Sequence, residues 1–186
     1  MTVALPRAFL DRPIAHRALH DVTQERPENS RAALRAAIAA GYGIEIDLQL
    51  SRDGVAMVFH DYDLRRLTGQ GGAVAQYSAA ELGALTLLHG EEGIPTLAEV
   101  LAELRGAAPL LIELKDQDGA LGPGIGALEE ATAQALRGYQ GDVALMSFNP
   151  HSVARMAALC PDLPRGLTTC AFAPADWPTV PAARLA

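Results

Sequence analysis

The sequence predicts an α/β fold of the TIM (β/α)8 barrel kind, on two observations. Short apolar strands alternate with amphipathic or alanine-rich helices along the whole chain, the pattern of a parallel sheet covered by helices. Charged or polar residues also close four of these strands, at His16, at Glu45 and Asp47, at His60, and at Glu113 and Lys115. That is the end of the strands where such a barrel builds its active site. A doubly wound dinucleotide-binding sheet is the rival. However, no G-x-G-x-x-G follows a strand, and GQGG at 69–72 has neither that spacing nor that context.

Taken in order, residues 13–16 (PIAH) are a short apolar strand ending in histidine, followed by a polar loop through Pro27. SRAALRAAIAAG reads as a helix, with Asn29 or Ser30 available as its N-cap and Gly41 placed to end it. GIEIDLQL (43–50) alternates apolar and polar residues with period two, so this strand has two distinct faces. SRDG has turn chemistry, and VAMVFH (55–60) is a further strand. Residues 61–95 are mixed, with a short capped helix at SAAELGAL. Thr96 caps the helix TLAEVLAELRG, and PLLIELK (109–115) is a buried strand ending in charge. The glycine-rich GALGPGIG reads as a flexible loop at the barrel mouth, since it lacks the Lys and Ser/Thr of a phosphate-binding loop. The helix ALEEATAQALRG, strand 142–148, helix HSVARMAALC and strand 165–169 complete the count at six strands. The tail from Cys170, with Pro174, Pro178 and Pro181, shows no period.

The 186 residues are enough for one domain. A net charge of −7 argues against general affinity for nucleic acid or anionic membrane. No apolar run approaches the roughly 18 residues of a spanning helix. The first residues show no secretory leader, and Cys160 and Cys170 read as free thiols. The expectation is a soluble, cytoplasmic protein without a stable membrane anchor and without a nucleic-acid partner.

Glu45 and Asp47 lie two apart on a strand and so point to the same face. Two carboxylates on a buried face repel unless positive charge lies between them. Glu113 again ends an apolar strand, and three carboxylates at one mouth suit a hard divalent cation, Mg²⁺ or Ca²⁺. Zinc is disfavoured because no His or Cys cluster has ligand spacing. Lys115 shares the face of Glu113, and Arg17 follows His16. Three carboxylates, one divalent metal, one Arg and one Lys sum to +1, which suits a monoanionic phosphodiester. His16 and His60 read as general acid and base. If Asp53-Gly54 formed a two-residue hairpin, Asp47 would lie opposite His60; a parallel barrel would instead need residues 48–54 to run back extended. Both alternatives keep His60 near the carboxylates. His20, His89 and His151 read as surface residues.

The string AHRA, RPENS, GIEIDLQLSRDGVAMVFHD, LRRLTG, IPTLAEVL, LLIELK and SFNP resembles the glycerophosphodiester phosphodiesterase family, collinearly from about Pro13 to Gly166. The resemblance implies a TIM barrel of the phosphodiesterase type that hydrolyses glycerophosphodiesters to glycerol 3-phosphate and an alcohol. It implies His16 and His60 as the acid/base pair, Glu45, Asp47 and Glu113 as metal ligands, Arg17 and Lys115 as phosphate ligands, and Glu28 beside the metal site. Residues 61–95 would correspond to the family's inserted segment, making residues 1–186 a single catalytic barrel domain. A lysophospholipase D-like activity on acyl-chain substrates and an inactive phosphodiester-binding barrel are the alternatives.

Two departures accompany the resemblance. The family's usual glycine after His-Arg is Ala18 here, so the loop carrying His16 and Arg17 is expected to sit differently or to take a φ that alanine accepts. The family's last two strands, with an aromatic flanking the glycerol pocket, have no counterpart, and Trp177 sits in the proline-rich tail. Further chain is therefore expected to complete the sheet between residues 165–169 and 13–16.

Overall fold

A computed structural model describes residues 3–169; Cys170, Trp177 and the tail prolines lie outside them. The strands are β1 (Ile14–Ala15), β2 (Gly43–Leu50), β3 (Ala56–Val58), β4 (Leu110–Leu114), β5 (Val143–Ser147) and β6 (Arg165–Leu167). The helices are α1 (Arg31–Ala40), α2 (Arg65–Thr68), α3 (Ala79–Gly83), α4 (Leu97–Leu104), α5 (Ala127–Leu136) and α6 (Pro150–Leu159). Strands β1, β2, β4, β5 and β6 pair in that order, each parallel to the next. The result is an open wall of a TIM barrel, with helices α1, α4, α5 and α6 returning the chain between strands. Among the described residues, no helix is long and apolar enough to cross a membrane.

The helix signals act where the sequence places them. Ser30, rather than Asn29, caps α1 by accepting from the Ala33 amide, and Gly41 ends it at φ 75°. Thr96 and Glu99 form a reciprocal capping box on α4. Asn149 caps α6, with Pro150 in its first turn. Period two sorts β2 into two faces. Ile44, Ile46 and Leu48 join Leu34 of α1 and Leu97, Leu101 and Leu104 of α4 in the main core. Glu45, Asp47 and Gln49 point the other way, into the barrel.

β3 resolves the alternative left open by the turn. It runs antiparallel to β2, with Leu48 opposite Val58 and Leu50 opposite Ala56. The turn is longer than the two-residue form. Ser51 N–H donates to the Val55 carbonyl at 3.0 Å while its hydroxyl accepts from the Val55 amide at 2.9 Å. The register therefore slips by one, and Phe59 rather than His60 donates to the Asp47 carbonyl. His60 reaches the mouth on the return arm of a hairpin, not at the end of a parallel barrel strand, so the parallel strands number five among the described residues.

Residues 61–95 build a second small core, in which Leu64, Leu67, Val74, Leu82, Leu87 and Ile94 pack on Met57 and Phe59 of the hairpin. The glycine-rich loop before α5 departs from expectation. Asp116 accepts from the amides of Asp118, Gly119 and Leu121, and Asp118 from those of Gly122 and Gly124. Two carboxylates thus hold this loop in a defined shape.

The second core closes through a tight turn in which Gly93 lies against the backbone of Gly83, so that a Cβ at 93 would strike the Gly83 carbonyl. Gly93→Ala is expected to cost about 1–3 kcal/mol, the usual penalty of overpacking, measured by urea unfolding. An unchanged midpoint would show that this turn is not packed as described.

Candidate active site

The centre of the mouth is set by strand register. Parallel pairing of β2 with β4 puts Asp47 opposite Glu113, and Glu45 stands two residues earlier on the same face. Oxygens of the three carboxylates lie within 4.8 Å of one another, and the residues are only 3%, 1% and 6% exposed for Glu45, Asp47 and Glu113. The three residues that the sequence selects as metal ligands are therefore brought together.

The surrounding groups answer this charge. Lys115 Nζ lies 2.8 Å from Asp47 Oδ1 and 2.7 Å from Glu113 Oε1. Burial works against the ammonium, yet these two ion pairs outweigh it and raise the Lys115 pKa. Asn29, at φ 57°, donates its side-chain amide to Asp47 Oδ2 at 2.9 Å and accepts from the Asp47 backbone amide. The Arg17 backbone amide donates to Glu45 Oε2 at 2.7 Å. The other Glu45 oxygen, Oε1, is buried and without a partner. Burial first, then the Asp47 charge, pushes the Glu45 pKa up to about 7. A buried carboxylate oxygen left unsatisfied beside two further carboxylates fits a hard divalent cation, which takes oxygen ligands. Arg17 Nε is likewise buried and without a hydrogen-bond partner, and it faces Asp47 Oδ2 at 3.6 Å as a further cation beside the cluster.

The histidines flank this centre. His16 follows β1 directly; partial burial of its ring and the Arg17 charge lower its pKa, against the pull of Asp47. His60 contacts Asp61 Oδ1 through Nδ1 at 2.7 Å. An ionised carboxylate only accepts hydrogen bonds, so Nδ1 carries the hydrogen and Nε2 is the atom left to exchange a proton. Asp61 is held down at about 2 by its hydrogen bonds to Arg66, against desolvation. Glu28 lies in the loop beside Arg17, bonded to Arg17 Nη1 at 2.9 Å. Burial alone would raise its pKa, but Arg66 and Arg17 bring it below the ordinary carboxylate value. An open cleft of about 670 Å³ is lined by His60, Glu113 and Lys115, with Tyr62, Leu121 and Phe148 on its apolar side.

Sequence reasoning passed over Asn29 as a side-chain partner of Asp47, and Asp61 and Arg66 altogether. All three fall inside the strings PEN, VFHD and LRRLTG; Asn29 and Arg66 reach partners 18 and 38 residues away, at Asp47 and Glu28, while Asp61 bonds the nearby His60 and Arg66. Ala18 keeps a positive φ of 62° while 2% exposed. The loop therefore keeps a left-handed turn and does not relax into a conformation that alanine favours.

The model of the glycerophosphoryl diester phosphodiesterase family matches residues 16–185. A glycerophosphodiester phosphodiesterase of Caldanaerobacter subterraneus is 36% identical over 164 residues, covering 83% of this chain and 65% of that protein. One from Bacillus altitudinis is 34% identical, covering 77% of this chain and 61% of its own length. The chain thus spans less than two thirds of these curated relatives. Among solved structures, an Oleispira antarctica phosphodiesterase in complex with its product sn-glycerol-3-phosphate aligns with TM-score 0.74 at 30% identity, over 86% of this chain and 67% of that one. A Parabacteroides distasonis glycerophosphodiester phosphodiesterase aligns with TM-score 0.74 at 27% identity, over 90% and 68%.

Between pH 4.5 and about 7 the folded protein keeps a proton on Glu45 that the unfolded chain has released. Folding stability without metal therefore falls as pH rises through that window. At about 1.4 kcal/mol per pKa unit, the shift from 4.5 to about 7 corresponds to about 3 kcal/mol lost by pH 8. Glu45→Gln, which mimics the protonated form, is expected to abolish this component. Chemical unfolding of both proteins in chelator at pH 4.5 and pH 8 measures it, and equal changes in the two would remove the assignment.

Proposed function

The chain belongs to the glycerophosphoryl diester phosphodiesterase family, and from that premise we propose that it hydrolyses glycerophosphodiesters to glycerol 3-phosphate and an alcohol. The observation that carries the reading is the buried Glu45–Asp47–Glu113 cluster with its unpartnered Glu45 oxygen, facing two histidines and two cations. In this reading the three carboxylates hold one Mg²⁺ or Ca²⁺, whose Lewis-acid charge polarises the phosphoryl group when bound. Arg17 and Lys115 bind the non-bridging phosphate oxygens and stabilise the charge that grows on them in the transition state. His16, kept neutral by its lowered pKa, takes the proton of the attacking water. His60 acts as the imidazolium: while Nδ1–H stays on Asp61, which fixes the ring, Nε2 gives its proton to the departing alcohol oxygen as the phosphorus–oxygen bond breaks, leaving the neutral Nδ1–H form. Glu28 steadies the Arg17 guanidinium.

A second reading has one observation in its favour. Tyr62 and Leu121 are 54% and 42% exposed on the cleft wall beside Phe148, an apolar surface that an acyl chain would cover. The same hydrolysis on lysophospholipids, as a lysophospholipase D does, would use it.

The test is release of glycerol 3-phosphate from a panel of glycerophosphodiesters, and of lysophosphatidate and the head-group alcohol from lysophospholipids, with Mg²⁺ or Ca²⁺ and with chelator. Chelator should abolish turnover and either cation restore it. His16→Ala and His60→Ala are each expected to lower kcat by roughly 10²–10⁴-fold, the range for losing a positioned proton-transfer group, with circular dichroism unchanged. Near-wild-type turnover in one variant would return that histidine to structure. No turnover by the wild-type protein on any substrate would leave the barrel as a binding module.

A further inference from the structure

We propose that Arg66, in the segment outside the parallel strands, is a positioning residue that sets His60 and Arg17 together through two carboxylates. The inference rests on the hydrolytic reading above and adds to it a residue with no direct contact to the reacting atoms. Arg66 Nε and Nη2 donate to Asp61 Oδ2 and Oδ1 at 2.6 and 2.9 Å, while Nη1 and Nη2 donate to Glu28 Oε2 and Oε1 at 2.8 Å each. One planar guanidinium thus makes two forked pairs on adjacent edges, and Nη2 is shared between them. The two oxygens that Nη2 holds carry the outward links: Asp61 Oδ1 receives His60 Nδ1 at 2.7 Å, and Glu28 Oε1 receives Arg17 Nη1 at 2.9 Å.

The charges therefore alternate from Arg17 through Glu28, Arg66 and Asp61 to the His60 ring. A turn of that guanidinium moves the proton-transfer group and the phosphate-binding group in concert. A simple surface ion pair would contribute little, and the Arg66 side chain is 48% exposed. The geometry here differs from such a pair: both carboxylates are mostly covered, at 12% and 22% for Glu28 and Asp61, and both pairs are bidentate. Lysine cannot reproduce this, because its ammonium is a point charge without a fork. The competing role for Arg66 is to fasten α2 to the loop before α1, which would change stability and leave the chemistry alone.

The experiment compares wild type, Arg66→Gln, Arg66→Lys, Asp61→Asn and the Asp61→Asn/Arg66→Gln double variant, at saturating Mg²⁺. Arg66→Gln and Arg66→Lys are both expected to lower kcat about 10–100-fold, the range for removing a partner that orients a reacting side chain. Because Arg66 acts on His60 through Asp61 and on Arg17 through Glu28, the double variant should lose less in kcat than the product of the two single losses. Nitrogen-15 NMR of the His60 ring supplies a readout independent of turnover. At a pH where the ring is neutral, the wild type should hold the Nδ1–H form, and Arg66→Gln should populate the Nε2–H form. If the wild type turns over no glycerophosphodiester, the hydrolytic reading fails, and the NMR comparison still decides the place of Arg66. A kcat within twofold of wild type in Arg66→Lys, losses that multiply in the double variant, or an unchanged His60 tautomer would each overturn the proposal. Unfolding of both Arg66 variants would make the residue a fastener and overturn it as well.

Discussion

Asp47 and Glu113 are register partners on adjacent parallel strands, and both are almost fully buried. Two like charges so placed repel, and the low dielectric of the interior makes the repulsion stronger than in water. Much of the mouth is arranged around that problem. Lys115 sits between the pair, Asn29 gives its amide to Asp47, and Arg17 bends its backbone N–H onto Glu45. Even so, one Glu45 oxygen stays without a partner. A fold gains nothing in stability from an arrangement that burial alone would dissolve. Its retention by a parallel pairing with apolar neighbours on the opposite face is the structural sign of a site built for a ligand.

The hairpin and the small second core serve the same centre from above. β3 folds back onto β2 and returns His60 towards the level of the carboxylates. The apolar cluster of residues 61–95 rests on Met57 and Phe59 of that hairpin. The segment therefore has a packing reason to hold one orientation over the mouth, and α2 presents Arg66 to Asp61 and Glu28 from there. Cleft and support are coupled: the side chains that line the mouth stand on strands of the main core, whereas those that orient them stand partly on the second.

How much of this the sequence discloses depends on the range of each interaction. Period two in GIEIDLQL discloses which residues of β2 face the barrel, because the pleat alone decides it. The cap at Thr96 is equally legible, and that at Ser30 to within one residue, since each acts within four residues. The direction of β3 is not, because SRDGV admits either a crossover or a turn. The Ser51 hydroxyl that lengthens the turn and shifts the register by one is a tertiary detail of a common residue. Arg66 and Glu28 are 38 residues apart, and no local pattern announces that pairing. The acidic cluster is legible because β2 and β4 each carry acid within a buried apolar run, which is costly unless something compensates it. Asn29, which bonds Asp47, and Asp61, which bonds His60 and Arg66, are not, because a polar residue in a loop costs nothing.

The loop after β1 shows how the centre's charge also fixes backbone shape. Arg17 and Ala18 are both left-handed, at φ 57° and 62°, and Asn29 joins them at 57°. For residues with a Cβ each such conformation costs on the order of 1 kcal/mol, so consecutive ones persist only where other bonds over-determine them. They do here. Arg17 N–H is held by the Glu45 carboxylate, Ala18 N–H by the Glu45 carbonyl, and the Arg17 carbonyl accepts from the Asn29 amide. Asn29 in turn pairs with Asp47 through both its side chain and that residue's amide. Ala18 is thus tolerated where glycine would be easier, because its methyl is buried in the main core and its amide is anchored on β2. The two acids of β2 therefore shape the loop that carries His16 and Arg17. Substituting either acid changes the charge of the mouth and also removes a bond that keeps this strained loop in place.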